Sequence, residues 1–113
     1  MIKAEFLRYG DSLIGFSVSG HAGGRYGQDI VCAAVSSAVI LTANTITDYL
    51  FTKANVGVEE NRVSLEILSP EAMESDAAKR VLASFKEHLE IIAADEKGKI
   101  QITVKEVSSR KGK

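Results

Sequence analysis

One cysteine and one histidine flank a glycine-rich segment in the first third of the chain, and they are the residues best suited to covalent chemistry. Cys32 is the only cysteine among the 113 residues, and His21 is one of two histidines. The segment between them follows an alternating, strand-like pattern that ends at Gly20, and it leads into an apolar helical pattern. A thiol beside an imidazole is a typical combination for nucleophilic catalysis, because the imidazole can take the thiol proton.

The residues around Cys32 predict that its sulfur lies in the first turn of a helix. Asp29 is a strong N-cap residue, because its carboxylate accepts hydrogen bonds from N–H groups at the start of a helix. With Asp29 at the N-cap, Cys32 is the third helical residue, where unpaired N–H groups and the helix dipole favour a thiolate. The same N–H groups can stabilise an oxyanion that forms during attack on a carbonyl. Ser36 follows one turn later on the same face and can hydrogen-bond to the site.

The residues alone leave other interpretations open. A lone cysteine is more often a small buried apolar residue than a nucleophile. A glycine-rich segment before a helix is also typical of phosphate binding, although the spacing here fits neither the dinucleotide-binding motif nor the P-loop. A metal site would have to use four side chains, namely His21, Asp29, Cys32 and His88. They include no C-x-x-C or H-x-x-x-H pair, so we predict neither a metal nor any other cofactor.

The segment from Gly20 to Ser36 resembles the signature of the ribosomal-processing cysteine proteases, the Prp family. The matching residues are Gly20-His21-Ala22, then Gly27, then Asp29-Ile30-Val31-Cys32-Ala33-Ala34-Val35-Ser36. The chain length and the order of elements fit that family as well. The resemblance implies a cysteine endopeptidase with His21 and Cys32 as its catalytic dyad. It also implies supporting positions at Gly20, Asp29 and Ser36.

The same resemblance implies a substrate and an assembly. Proteins of that family remove the N-terminal extension of large-subunit ribosomal protein number twenty-seven, cutting near an aromatic pair, and they form homodimers. The glycine-rich segment is then expected to order over the substrate. Its predicted substrate-contacting residues are Gly23, Gly24, Arg25, Tyr26 and Gly27. The alternative function is that of a non-catalytic ribosome-associated module, which would use the same cleft only for binding.

Length, composition and charge limit the class of protein, the number of domains and the kinds of binding partner. A chain of 113 residues with 45% hydrophobic and 26% charged residues is typical of one soluble domain spanning residues 1–113. The net charge of −1 provides no overall field for direct binding of nucleic acid. A single cysteine cannot form an internal disulfide, which suits a cytoplasmic location. Serine, threonine and asparagine interrupt the uncharged run over residues 30–47, which argues against a membrane-spanning segment.

Alternation and helical periodicity predict an α+β fold of order ββαββαβ, with two helices packed on one face of a largely antiparallel sheet. The start of the second helix is left open between Ser69 and Ser75, since either can act as its N-cap. Residues 108–113 are expected to form a disordered tail. The other predicted elements are a first hairpin turning at 9–12, a helix from Ile30 to about Leu50, a second hairpin of Val56–Glu59 and Val63–Leu68, a helix end at Gly98 and a last strand from Ile100.

The first predicted helix is apolar nearly all round, and Asp48 is its only charged residue. Such a helix should be covered on more than one side. Ile40 and Leu41 lie away from the face that is expected to meet the sheet, and a partner subunit is the simplest cover for them. The predicted sheet-facing residues are Val31, Val35, Val39, Thr42, Ile46 and Leu50.

Overall fold

Two β-hairpins, each followed by a helix, and one last strand make up the described part of the chain, residues 1–20 and 30–107 of a computed structural model. A π-helical turn, Thr45–Tyr49, extends the first helix, and a 3-10 turn, Met73–Ser75, precedes the second. The predicted order ββαββαβ is confirmed. The elements are β1 (Ile2–Tyr9), β2 (Ser12–Ser19), α1 (Ile30–Asn44), β3 (Ala54–Glu59), β4 (Arg62–Ile67), α2 (Asp76–Asp95) and β5 (Ile100–Glu106).

The five strands form one sheet in the order β3-β4-β2-β1-β5. Neighbouring strands are antiparallel except for β1 and β5, which are parallel. Phe6 of β1 lies opposite Phe16 of β2, and Phe16 lies opposite Leu65 of β4. Residues that pair across a sheet point to the same face, so this register makes a continuous apolar row on which the helices can pack.

The core lies between the helices and one face of this sheet, as predicted. The ring of Phe85 from α2 packs edge-on against Phe6 and Phe16, with ring centroids 5.6 Å and 5.0 Å apart. Edge-to-face packing of this kind adds to the free energy gained by burying the rings. Other residues buried in the same core are Ile2, Ala4, Val18, Val31, Val35, Val39, Ile46, Leu65, Ile67, Ala78, Leu82, Leu89 and Ile100.

The sheet-facing side of α1 is the one predicted from its sequence. Val35, Val39 and Ile46 have no exposed surface and belong to the shared core, and Leu50 packs against that core while partly buried. Together with its π-helical turn, α1 has the length and composition of a membrane-spanning helix. A core helix meets the same criteria, and the burial of this stripe accounts for the apolar residues on the sheet-facing side of α1.

The end of α1 has an irregular geometry that its sequence does not signal. Phe51 adopts a left-handed backbone conformation with φ of 54°, and its side chain is 79% exposed. The N–H of Thr52 donates to the carbonyl oxygen of Ile46 at 2.9 Å. This hydrogen bond spans one residue more than the bond that closes a Schellman motif, because it follows a π-helical turn. Glycine is the residue that usually takes the left-handed position after a helix.

Several predicted boundaries differ from the structure. α2 ends at Asp95, three residues before Gly98, and β4 spans Arg62–Ile67, one residue earlier than predicted at each end. β3 begins at Ala54, two residues before the predicted start of that strand. α2 follows Ser75 directly, yet Ser75 makes no side-chain capping hydrogen bond. Its hydroxyl instead donates to the carbonyl oxygen of Ser69 at 2.8 Å, so the two candidate cap residues bond to each other.

The ring cluster around Phe85 predicts a large difference between two Phe→Ala substitutions. Phe85→Ala should lower the free energy of unfolding by about 3–5 kcal/mol, because it leaves a cavity between α2 and the sheet. Phe51→Ala, the control at an exposed position, should change it by less than about 0.5 kcal/mol. Urea denaturation of both variants measures the difference, and equal losses of stability would contradict the described packing.

Candidate active site

Gly20 fixes the point at which the glycine-rich segment leaves the sheet. Its backbone has φ of +87°, and a Cβ at this position would lie 2.7 Å from the carbonyl oxygen of Met1. Its N–H donates to the carbonyl oxygen of Asn61, 3.2 Å away, at the turn between β3 and β4. A residue with a side chain would therefore be disfavoured both by its backbone conformation and by contact with a neighbouring strand.

Cys32 lies where the sequence places it, in the first turn of α1. The helix begins at Ile30, so Cys32 is its third residue, and its side chain is half-buried. The first N–H groups of a helix have no partner within the helix and carry partial positive charge. The first turn of α1 itself contains no acidic side chain that would offset this charge. The position suits both a thiolate and a developing oxyanion.

Ser36 lies one turn after Cys32 and is also half-buried. Residues four apart in a helix are neighbours on one face, so the two side chains share one flank of α1. This flank is not the one that adjoins α2. Ala34, Ala38 and Leu41 line the groove between the two helices, and at 3.6 residues per turn Cys32 lies nearly opposite to them.

The remaining predicted site residues lie outside the described part of the chain. They are His21, Gly23, Gly24, Arg25, Tyr26, Gly27 and Asp29. The His21–Cys32 dyad, the N-cap role of Asp29 and the substrate contacts of the glycine-rich segment therefore stay predictions. The expected tail, residues 108–113, lies outside the described residues too.

His88 is exposed on α2, as predicted, and lines the groove of about 530 Å³ between the helices. The groove also contains Ser37, Thr45 and Ser84, and the apolar side chain of Leu41. Across residues 1–20 and 30–107, no three His, Cys, Asp or Glu side chains come together in a way that would hold a metal ion.

The sequence did not identify two exposed valines on the helix-bearing face of the sheet. Val56 and Val58 of β3 are 45% and 75% exposed. They pair with Leu65 and Val63 of β4, which are buried and partly buried. Alternation along β3 indicates which face these valines share, but it carries no information on whether a helix covers that part of the face.

Comparison with protein families gives a match over most of the chain. The model of a family described as cysteine protease Prp matches residues 1–101. Among curated proteins, none matches the chain significantly.

Solved structures with the same fold include two bacterial proteins. SMU.848 from Streptococcus mutans superposes with a TM-score of 0.80 at 22% identity, covering 95% of this chain and 99% of its own. An essential ribosomal processing protease, Prp from S. aureus, matches in complex with a substrate peptide, with a TM-score of 0.79 at 20% identity and coverage of 93% and 100%. The same protease with a covalently linked product peptide gives 0.80 at 21% identity, again covering 93% and 100%. These similarities establish the shared fold.

The surroundings of Gly20 predict that even a methyl group is poorly tolerated at the start of the glycine-rich segment. Gly20→Ala should destabilise the protein by at least about 1 kcal/mol more than Gly10→Ala. Gly10 is the matched control, since it has φ of +65° but no atom within 4 Å of an added Cβ. Thermal unfolding of both variants separates the steric effect from the backbone effect. Equal destabilisation would show that contact with Met1 is unimportant.

Proposed function

The chain belongs to the Prp family of cysteine proteases, and we propose that it cleaves peptide bonds through a dyad of His21 and Cys32. The observation that carries this proposal is the place of the only cysteine in the sequence, at the third residue of α1. The N–H groups at a helix start have no partner within the helix, and they favour the thiolate form that a nucleophilic cysteine needs.

The proposed reaction follows from these positions. His21 takes the proton of the Cys32 thiol, and the sulfur attacks the carbonyl carbon of the scissile bond. The carbonyl oxygen becomes an oxyanion, which N–H groups in the first turn of α1 stabilise. The C–N bond then breaks as the His21 imidazolium protonates the leaving amine, and a thioester remains on Cys32. Water, deprotonated by His21, hydrolyses the thioester and restores the thiol.

Two further residues have supporting roles in this proposal. Asp29 caps α1 and turns its carboxylate into the N–H groups of the first turn, which fixes the helix start beside the nucleophile. Ser36 lies one turn below Cys32 on the same flank and supports the position of its side chain.

The proposed substrate is the N-terminal extension of large-subunit ribosomal protein number twenty-seven. Its support is the family membership together with the shared fold of the ribosomal processing protease from S. aureus. Incubation with that ribosomal protein and mass spectrometry of the products tests the proposal, with one cut that releases the extension as the expected result. Tight binding without a cut would favour the alternative, a non-catalytic ribosome-associated module.

The dyad predicts a clear ranking of three variants. Cys32→Ala should abolish cleavage while the fold is retained, since only a thiol is lost from a half-buried position. His21→Ala should reduce turnover by at least ~10²-fold, the usual scale for loss of a general base. His88→Ala, which removes the only other histidine, is the control and should cleave normally.

Circular dichroism of each variant, measured beside its cleavage rate, separates loss of chemistry from loss of fold. Cleavage at the wild-type rate by either Cys32→Ala or His21→Ala would rule out the dyad. Equal impairment of His21→Ala and His88→Ala would remove the reason to assign the general base to His21.

A homodimer is the second part of the proposal. Leu41 is 68% exposed, and the neighbouring Ile40 is exposed as well, although both lie in the apolar helix α1. The outward face of this helix carries no charge before Asp48. Pairing with a second copy would bury these side chains in an isologous interface, which is the usual form in homodimers.

Leu41→Glu should convert the dimer to a monomer, because it places a charge in the centre of the proposed interface. Val104→Glu introduces the same charge at an exposed apolar position of the edge strand β5 and is the control that should stay dimeric. Sedimentation velocity at micromolar concentration measures both. A monomeric unmodified protein under these conditions would refute the homodimer.

A further inference from the structure

β3 is an edge strand with an unprotected outer side. Within residues 1–20 and 30–107, β4 is the only strand that pairs with it. The register of the two strands is regular over Ala54–Glu59, and this segment contains neither proline nor lysine. Proteins usually protect such an edge with a bulge, a proline or a charged side chain. β3 has no such feature before its last residue, Glu59, so its outer side can accept another strand.

The hydrogen bonds to β4 determine which backbone groups of β3 point outward. The N–H of Leu68 donates to the carbonyl oxygen of Lys53 at 3.0 Å, and this pair continues the register of β3 with β4. Bonded and non-bonded pairs alternate along an antiparallel ladder, so every second residue from Lys53 onward bonds to β4. The residues between them direct their N–H and C=O groups to the outer edge, and they are Ala54, Val56 and Val58.

The side chains on the helix-bearing face also distinguish this edge from the opposite one. Val56 and Val58 of β3 are both exposed. On the other edge strand, β5, Ile100 is buried, Ile102 packs against the core and only Val104 is exposed. Addition of a strand at β3 would therefore bury apolar surface that β5 has already buried under α2.

We infer that β3 is an interface for β3 of a second copy of this chain, in antiparallel pairing centred on Val56. In this register Val56 lies opposite the partner's Val56, and Val58 lies opposite the partner's Ala54. Each outward-facing residue thus meets an apolar side chain on the same face of the sheet. Three bonded pairs form, and each exchanges two hydrogen bonds, which gives six across the interface.

Opposite charges favour this register over its neighbours. Lys53 then lies opposite the partner's Glu59, and the isologous contact contains this pair twice. Both residues are exposed, and they share the face of the sheet that carries no helix. A shift of the pairing by two residues in either direction keeps the same faces but separates these charges. The sequence of the edge is therefore self-complementary, which favours a second copy over an unrelated strand.

The contact differs in place and strength from the proposed dimer face with Leu41. A strand of six residues buries less surface than the roughly 1,200 Å² of a stable interface, so submillimolar concentrations are needed to populate it. Each chain has one β3, and pairing through this strand alone stops at two copies. The product is a single sheet of ten strands, five from each copy.

Two charge-reversed variants test the register. Lys53→Glu and Glu59→Lys each place like charges opposite one another, so each should lower self-association by at least ~10-fold. An equimolar mixture of the two should associate again, because every lysine then lies opposite a glutamate. Both changes are made in the Leu41→Glu variant, which removes the proposed helix interface, and sedimentation velocity at submillimolar concentration measures the dimer.

Two further variants separate a strand contact from a general effect of charge. Val56→Pro removes an outward N–H that β4 does not use, and it should also weaken association by about tenfold or more. Lys105→Glu reverses an exposed charge on β5 and is the control that should associate normally. Circular dichroism checks the fold of each variant, since Glu59→Lys also faces Arg62 within the chain.

Hydrogen exchange gives a second measurement in the unmodified protein. The N–H groups of Val56 and Val58 should gain protection as the concentration rises, whereas that of Gly57 should be protected throughout. Constant exchange at Val56 and Val58 would overturn the inference. So would self-association of Lys53→Glu at the unmodified level, a mixture that fails to associate, or an equal loss in Lys105→Glu. No measurement here involves peptide cleavage, so this interface and the proposed function can fail separately.

Discussion

Burial of one stripe of α1 is the constraint on which the rest of this structure depends. Val35, Val39 and Ile46 have no exposed surface, and they pack into the core that α1 shares with the sheet. Packing along this stripe fixes both the position and the orientation of the helix on the sheet. The position of Cys32 is therefore set by the packing of α1 on the core. The proposed nucleophile thus lies on a packed helix, and sites on such elements are more precisely positioned than sites on loops.

Much of this fold follows from periodicity in the sequence. Alternation from Ile2 to Phe6 and the long apolar pattern after Ile30 are strong local signals, since each buries one face against the core. The order of the strands cannot be predicted in this way, because the parallel pairing of β5 with β1 depends on contacts between distant parts of the chain. Local patterns carry no such information. The left-handed Phe51 was also unpredictable, because glycine is the residue usually found in that conformation.

Some features of the candidate site could likewise be predicted from the local sequence, and others could not. The helix start at Ile30 and the third position of Cys32 were predictable, because N-cap residues act over only three or four positions. The exposure of Val56 and Val58 was not, because a β-strand with one apolar face looks the same whether or not a helix lies above it. The local sequence thus predicted the position of Cys32, the proposed nucleophile, and only the packing of α1 and α2 showed what surrounds it.

The central claim is that the single thiol performs the chemistry, and titration of that thiol tests it most directly. Limiting amounts of iodoacetamide modify Cys32 in increasing fractions, which intact mass spectrometry measures without ambiguity because the chain has no other cysteine. The account predicts that the rate of peptide cleavage falls in proportion to the modified fraction and reaches zero at one carbamidomethyl group per chain. Substantial cleavage by fully modified protein would contradict the assignment of Cys32 as the nucleophile.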